Sequence, residues 1–154
     1  MFINLEDKEI KFILENNYIG YLGYIYNKRP YVVPITYFFD KEENAIICYS
    51  GEGHKINAMQ KNKAVSLQVT TIDDLTNWKS VMVHGTFEQL FGSNAKAYLH
   101  KFSLGVKDVI MEQEHKTVNF LSEFSSKVYK ENIPTVFRIK IEEFTGKKRH
   151  TFSA

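Results

Sequence analysis

The segment IICYSGEGHKINAMQKNKAVSLQV, residues 46–69, indicates how the rest of the chain folds. It opens with a run of β-forming residues that ends at Ser50, and it closes with a second such run. Between the two runs, Gly51 and Gly53 interrupt the pattern and a short helix begins near His54. The segment therefore predicts a strand, a glycine turn, a short helix and a returning strand.

The glycine turn has the chemistry of an anion site. Two glycines precede His54 and Lys55 at the start of the predicted helix. Backbone N–H groups point outward at a helix N-terminus, the helix dipole adds partial positive charge, and Lys55 adds a full charge. The alternative is an ordinary solvated helix start. A phosphate bound at the paired glycines would relieve the unfavourable placement of a cation at this helix end.

A predicted hairpin precedes this turn. Residues 18–26 and 31–39 are rich in β-forming side chains, and a short polar turn separates them. Pro34 lies within the second run and has no N–H to give to a sheet, so we expect an edge strand or a bulge there. Pro34 either protects an exposed sheet edge from aggregation or leaves neighbouring backbone groups available to a ligand.

The remaining elements complete a mainly β pattern. The six predicted strands are residues 18–26, 31–39, 45–50, 64–71, 79–91 (with a bend at Gly85) and 135–144. The predicted helices are residues 5–16, capped by Asn4, then 55–61 and 94–102, capped by Ser93, with a loop and short helices within 104–117 and 118–126. We expect residues 147–150 to form a mobile basic tail. Short strands with few helices predict an α+β, mainly β domain built as a closed or partly closed six-stranded antiparallel barrel.

Composition limits the class of protein. A length of 154 residues predicts one domain covering residues 1–154. The 20 basic and 18 acidic side chains give a net charge of +2, which does not indicate the strongly basic surface of a nucleic-acid-binding protein. No segment approaches the ~20 apolar residues that span a bilayer, and the first residues lack a signal-peptide pattern. Cys48 is the only cysteine, which excludes an intrachain disulfide and is typical of a cytoplasmic protein.

Other reactive side chains predict no further chemistry. The histidines show no metal-ligand spacing, and no serine or cysteine lies in a nucleophile elbow, so neither a metal nor a catalytic residue is predicted. We expect Cys48 to be a small buried apolar residue and His84 to point outward from its strand. Trp78 is the only tryptophan; it belongs either to the core, to an interface or to the wall of a site for a flat ligand.

The order of these motifs resembles the pyridoxamine 5′-phosphate oxidase-like family of flavin-binding split β-barrels. Within that family it resembles the branch of nitroimidazole-resistance-type flavin reductases. The matching motifs are GYLG (20–23), PYVVPIT (30–36), IICYS (46–50), GHK (53–55), WKSVMVHG (78–85) and IEEFTGK (141–147).

The resemblance implies a Greek-key split barrel and a homodimer that holds FMN at the subunit interface. It implies that one strand lies against the isoalloxazine, that the glycine turn grips the phosphate, and that the segment 145–147 reaches the flavin of the partner subunit. The implied cofactor-binding residues are Val33, Pro34, Ile35, Thr36, Tyr49, Ser50, His54, Lys55, Trp78, Ser80, Val81, Thr145 and Lys147.

The resemblance also implies an activity. Many relatives carry a histidine, linked to nitroimidazole chemistry, where Cys48 stands, and the arginine-rich substrate motif of the pyridoxamine oxidases is absent after Lys147. We therefore expect an FMN-dependent oxidoreductase other than a true pyridoxamine phosphate oxidase, passing electrons from NAD(P)H to a small acceptor. The alternative is a non-catalytic flavin or haem carrier or sensor, with His54 or His150 as the histidine nearest the cleft.

Overall fold

The structure is a computed structural model that describes residues 2–114 and 134–151, and within them it is mainly β. The strands are β1 (Phe2–Asn4), β2 (Ile19–Tyr26), β3 (Arg29–Thr36), β4 (Phe38–Asp40), β5 (Ala45–Ser50), β6 (Ala64–Asp74), β7 (Asn77–Leu90) and β8 (Thr135–Arg149). The helices are α1 (Asp7–Glu15), α2 (His54–Lys61) and α3 (Gly92–Glu114). In the described part of the chain, no helix has both the length and the apolar character needed to span a membrane.

The strands form one antiparallel sheet with the order β3-β2-β6-β7-β8-β5-β4, and β1 pairs with β8. The sheet does not close, because β3 and β4 lie at its two ends. The predicted mainly β class, an antiparallel split barrel with a few helices, is confirmed. The strand β8 organises the sheet, since it pairs with β7, β5 and β1.

The hairpin of β2 and β3 forms as predicted. Tyr26 lies opposite Arg29, and the two loop residues, Asn27 and Lys28, have φ values of 49° and 64°. Two successive residues with positive φ are typical of the tight turns that match the twist of a hairpin. Because β3 ends the sheet, Pro34 lies on an edge strand, where its missing N–H costs no ladder hydrogen bond.

Two apolar clusters stabilise the fold. The larger fills the inner side of the sheet beneath α1 and α2, and the smaller lies between α3 and the strands β5 and β8. Burying one large aliphatic side chain contributes about 1.5–3 kcal/mol to stability. Burial in these clusters therefore contributes more to stability than the helix or strand propensity of single residues. Cys48 is fully buried in the larger cluster, which confirms its prediction as a small apolar residue.

The start of α1 differs from its prediction. Glu6 is the N-cap, and its backbone N–H donates to the carboxylate of Glu9 at 3.3 Å, as in a capping box. Asn4, which we predicted as the cap, belongs instead to β1, where it pairs with Lys147. Pairing of β1 with β8 therefore moves the helix start two residues along the chain, to Asp7.

The third helix is longer than predicted. It runs without interruption from Gly92 to Glu114, through the described part of the region where we expected a loop, and Ser93 lies inside it rather than at its cap. Gly105 lies within this helix and not at its end. Its missing side chain leaves room for the ring of Phe38, and a Cβ atom at Gly105 would clash with that ring. Packing on β5 and β8 holds the helix through a stripe of buried residues: Ala95, Leu99, Phe102, Val106 and Ile110. The helix predicted at 118–126 lies outside the described residues.

Two further corrections concern the strands. The prediction of a mobile tail is wrong for Lys147 to Arg149. These residues belong to β8 and pair with both β7 and β1. The predicted second strand is divided at Tyr37, whose buried hydroxyl donates to the carbonyl oxygen of Leu14 at 2.8 Å. This division and the addition of β1 give eight strands in the described residues instead of six.

Candidate functional site

Within the described residues, the turn before α2 is open and lacks a capping side chain. Gly53 is the N-cap, no side chain of residues 2–114 or 134–151 caps the helix, and the first turn contains no acidic residue. A Cβ atom at Gly51 or Gly53 would meet no atom of those residues within 4 Å. Because the first N–H groups of a helix have no partner within it, they are available to a ligand that approaches this open turn.

Lys55 places a free cation beside the turn. Its side chain is half-buried, and among the described residues it forms no ion pair, not even with the neighbouring Glu52. Burial raises the pKa of the Cys48 thiol, and the Lys55 ammonium offsets part of that rise. Because no acidic side chain of the described residues pairs with Lys55, its charge is available to an anion.

His54 lies against three tyrosine rings of the β2–β3 hairpin. Its Nδ1 atom is 3.1 Å from the hydroxyl oxygen of Tyr24. Its ring centroid is 4.7 Å from that of Tyr26 and 4.9 Å from that of Tyr31, both in edge-on geometry. Tyr24 and Tyr31 stack on each other with centroids 5.4 Å apart. The imidazole is thus held by aromatic contacts on the inner side of the hairpin.

The last residues of β5 point in opposite directions. The ring of Tyr49 packs edge-on against Phe102 of α3, with centroids 5.3 Å apart. Ser50 is buried, and its hydroxyl donates to the carbonyl oxygen of Gly51 at 3.0 Å. Ser50 thus supports the glycine turn, whereas Tyr49 belongs to the cluster under α3.

The opposite side of the sheet is a broad exposed surface, which we call the outer face. It consists of alternate residues of β3, β2, β6, β7 and β8, because successive side chains of a strand point to opposite sides. One row across it contains Pro34, Tyr21, Gln68, Met82 and Thr145, each directly opposite the next.

A cavity of about 190 Å³ lies on the outer face. In the ladder of β7 and β8, Ser80 lies opposite Lys147, and Trp78 lies opposite Arg149. The Ser80 hydroxyl accepts a hydrogen bond from the side-chain amide of Gln68 at 3.1 Å. Four of the predicted flavin residues line this cavity together with Met82 and Gly146: Trp78, Ser80, Thr145 and Lys147.

The predicted residues of β3 divide between the two sides of the sheet. Pro34 and Thr36 belong to the outer face, whereas Val33 and Ile35 pack against the core. Val81 is fully buried, so its side chain cannot reach a ligand on the outer face. Alternation along each strand therefore separates residues that a contiguous motif seems to place together.

Apart from Val33, Ile35, Tyr49 and Val81, which pack in the apolar clusters, the predicted site residues form two regions on opposite sides of the sheet. The turn region contains Ser50, His54 and Lys55, and it adjoins the inner side, where α2 packs on β2. The second region is the cavity on the outer face, with Pro34 and Thr36 on the same surface. One chain does not bring the two regions together.

The sequence analysis missed the tyrosines around His54 and the neighbours of Trp78. The spacing of Tyr24 and Tyr26, two residues apart, is the signal that places both rings on one side of a strand. Phe2 lies 5.9 Å from the ring of Trp78, and the Arg149 guanidinium lies 5.5 Å from the Phe2 ring. No local pattern indicates these contacts, because β1 and β8 are far apart along the chain.

The histidines take different positions. His84 is exposed, as predicted, and its Nδ1 atom lies 2.8 Å from the hydroxyl of Ser66. Within residues 2–114 and 134–151, no group of three or more His, Cys, Asp or Glu side chains could hold a metal ion.

Comparison with known families defines the class. The family model described as pyridoxamine 5′-phosphate oxidase matches residues 6–148, almost the whole chain. This protein therefore belongs to the pyridoxamine 5′-phosphate oxidase family, as the resemblance predicted.

Individual proteins also resemble this chain. A FAD-binding protein of Mesorhizobium loti has 25% sequence identity and a TM-score of 0.74, over 98% of both chains. A candidate 5-nitroimidazole antibiotic resistance protein of Bacteroides thetaiotaomicron has 18% identity and a TM-score of 0.65, over 96% of this chain and 87% of that chain. An uncharacterised protein of Rhizobium meliloti is 42% identical over 62 residues, and this match spans 40% of each chain.

Proposed function

We propose that this protein is a cytoplasmic, FMN-dependent oxidoreductase that passes electrons from NAD(P)H to a small acceptor, with the flavin held at a homodimer interface. The observation that carries the proposal is the start of α2, which no described side chain caps, beside the Lys55 ammonium, which pairs with no described acidic side chain. Membership of the family and likeness to the FAD-binding protein of Mesorhizobium loti support a phosphorylated flavin as the anion.

The donor set of the turn fits a phosphate. Lys55 supplies a charged donor, His54 supplies a ring N–H, and the first amides of α2 supply backbone donors. The space beside Gly51 and Gly53, which no described residue occupies, lets a phosphate approach the backbone closely. Glu52 is the acidic residue of the turn; it is exposed, and its repulsion of an anion is therefore screened by water.

A second copy of the chain would unite the two regions. The outer face exposes large apolar side chains, which is typical of an interaction surface. They are Phe2, Ile19, Tyr21, Ile25, Val32 and Ile72. In this proposal the turn of one protomer holds the phosphate, and the outer face of its partner covers the flavin ring.

The flavin supplies hydride and electron transfer when it is bound. The residues of this chain bind and orient it: Lys55 and His54 anchor the charged end, and the Trp78 cavity encloses flat, uncharged parts. No described side chain lies in both regions, so we assign no catalytic acid or base.

Titration with three flavins tests the binding proposal. Wild-type protein is titrated with FMN, FAD and riboflavin, beside Lys55→Ala and the control Lys61→Ala, which removes a lysine from the other end of α2. A charge-assisted hydrogen bond is worth roughly 1.5–3 kcal/mol, so Lys55→Ala should weaken FMN binding about ten- to a hundredfold. The control should bind as the wild type does. Equal FMN affinities of Lys55→Ala and wild type would discard the phosphate turn.

Turnover separates an enzyme from a carrier. The flavin-loaded protein is mixed anaerobically with NADH or NADPH, and the absorbance near ~450 nm is followed, where oxidised flavins absorb. Bleaching within seconds, reversed by an acceptor, supports the oxidoreductase. A flavin spectrum that stays unchanged for hours favours the carrier. A sharp Soret band in the purified protein would show that the bound cofactor is haem and not flavin.

A further inference from the structure

His54 is the residue of the turn whose orientation another side chain controls. Its Nδ1 atom lies 3.1 Å from the Tyr24 hydroxyl, and the rings of Tyr26 and Tyr31 contact it edge-on. These contacts oppose rotation of the imidazole about its side-chain bonds. With Nδ1 turned toward Tyr24, the other ring nitrogen, Nε2, is the one left to interact with a ligand.

We infer that Tyr24 is a positioning residue, whose hydroxyl donates to Nδ1 of His54 and thereby keeps the imidazole proton on Nε2. The His54 ring then donates a hydrogen bond from Nε2 to the phosphate of a flavin, next to Lys55. This inference rests on the proposed function, because the phosphate is the ligand of the turn. Its consequence is selectivity for phosphorylated flavins over riboflavin.

The direction of the hydrogen bond follows from the surroundings of Tyr24. The residue is 5% exposed, and burial together with Tyr31 raises the pKa of its hydroxyl, which therefore keeps its proton. Among the described residues, His54 is the hydrogen-bond partner of this hydroxyl. If Nδ1 were the donor, the Tyr24 O–H would have no acceptor among the described residues, and an unpaired hydroxyl in a buried residue carries a desolvation cost.

The second nitrogen of a neutral histidine is then a donor. When one ring nitrogen accepts a hydrogen bond, the other carries the proton, so Tyr24 sets the tautomer without charging the ring. A phosphate oxygen is an acceptor only, and it would be repelled by an unprotonated Nε2. The same imidazole in the opposite tautomer would therefore oppose the ligand that Lys55 attracts.

Two tyrosine variants test the inference. Tyr24→Phe removes the hydroxyl bonded to His54 and keeps the ring, and the control Tyr98→Phe removes a hydroxyl of α3 that bonds Glu43. We expect Tyr24→Phe to raise the Kd for FMN by about two- to tenfold, the range of one neutral hydrogen bond, and to leave the Kd for riboflavin unchanged. Tyr98→Phe should change neither value. Equal FMN affinities of Tyr24→Phe and wild type would overturn the inference.

The tautomer has its own readout. In ¹⁵N-labelled wild-type protein without flavin, the His54 nitrogen shifts at neutral pH should show a protonated Nε2 and an unprotonated Nδ1, and Tyr24→Phe should lose this preference. A protonated Nδ1 in the wild type refutes the role of Tyr24 whatever the flavin does. Wild-type protein that binds riboflavin as tightly as FMN refutes the phosphate turn instead, so the two failures are distinguishable.

Discussion

Gly85 of β7 lies so close to Lys140 of β8 that a Cβ atom at Gly85 would overlap the carbonyl oxygen of Lys140. The pairing of the two strands shifts register between His84 and Gly85. The predicted bend at Gly85 is therefore a β-bulge. Glycine fits this position because the β8 backbone occupies the space that a side-chain methyl group would need.

Replacing Gly85 with Ala should destabilise the fold. The added methyl group must displace the β8 backbone, so we expect the free energy of unfolding to fall by about 1–3 kcal/mol, as in other overpacked sites. Urea denaturation measures this change through the midpoint of unfolding. Gly51→Ala is the control, since open space surrounds that position and its stability should stay close to that of the wild type. A Gly85→Ala midpoint equal to the wild-type value would contradict the close approach.

A charge at Val32 should weaken the proposed dimer. Val32 is 68% exposed on the outer face, where a glutamate meets water in the monomer but an apolar partner in the dimer. Sedimentation equilibrium should show twice 18.0 kDa for the wild type and a shift toward 18.0 kDa for Val32→Glu. Leu104→Glu, an equally drastic change on exposed helix surface, should leave the mass unchanged. If the wild type with flavin bound sediments as a monomer, the proposal that two subunits share the flavin site is wrong.

The Cys48 thiol should react only when the protein unfolds. It is fully buried, and burial raises its pKa, so the thiolate that attacks disulfide reagents is scarce in the folded state. At pH 8, labelling by an aromatic disulfide reagent should be as slow as unfolding and should accelerate in urea. Labelling faster than unfolding would show that the strand β5 opens locally.

The same pKa shift predicts how stability depends on pH. A raised pKa means that the folded state binds the thiol proton more tightly than the unfolded state does, whose thiol pKa is about 8.5. The free energy of unfolding should therefore decline as the pH rises above about 8.5, where the unfolded thiol loses its proton and the folded thiol keeps it. Denaturation of Cys48→Ala across this window should show a smaller decline, and identical slopes would refute the contribution of Cys48.

Trp78 should report binding at the outer face. It is the only tryptophan, and it lines the cavity with Ser80 and Lys147. Under the proposed function, FMN should quench its fluorescence with a saturation curve equal to the flavin titration, and Lys55→Ala should shift that curve to higher FMN concentrations. Lys96→Ala, on the exposed surface of α3, serves as the control. Unaltered emission at saturating FMN would separate Trp78 from the flavin site.

Some features of this protein follow from short stretches of sequence. The hairpin turn at Asn27, the edge position of Pro34, the bulge at Gly85 and the burial of Cys48 all agree with the structure. Each depends on the conformational limits of one residue or on the alternation of a single strand. Such limits act locally, so the chain alone is sufficient to predict them.

The candidate site was predictable only in part. The glycine turn with Lys55 could be read from neighbouring residues, since a helix start is a local structure. The positions of Tyr49 and Val81 could not, because Tyr49 turns toward α3 and Val81 toward the core. A contiguous motif does not reveal which side of a strand faces a ligand and which faces a helix that comes later in the chain.

The sequence by itself determined the class of fold, the place of the turn beside Lys55 and the sheet edge at Pro34, because propensity, turn chemistry and charge act between near neighbours. Only the tertiary structure decided that β1 pairs with β8, that α3 continues past Gly105, and that Tyr24 meets His54. Those outcomes depend on contacts between residues far apart in the chain, whose free energy arises only when the sheet has formed and its two sides have been filled.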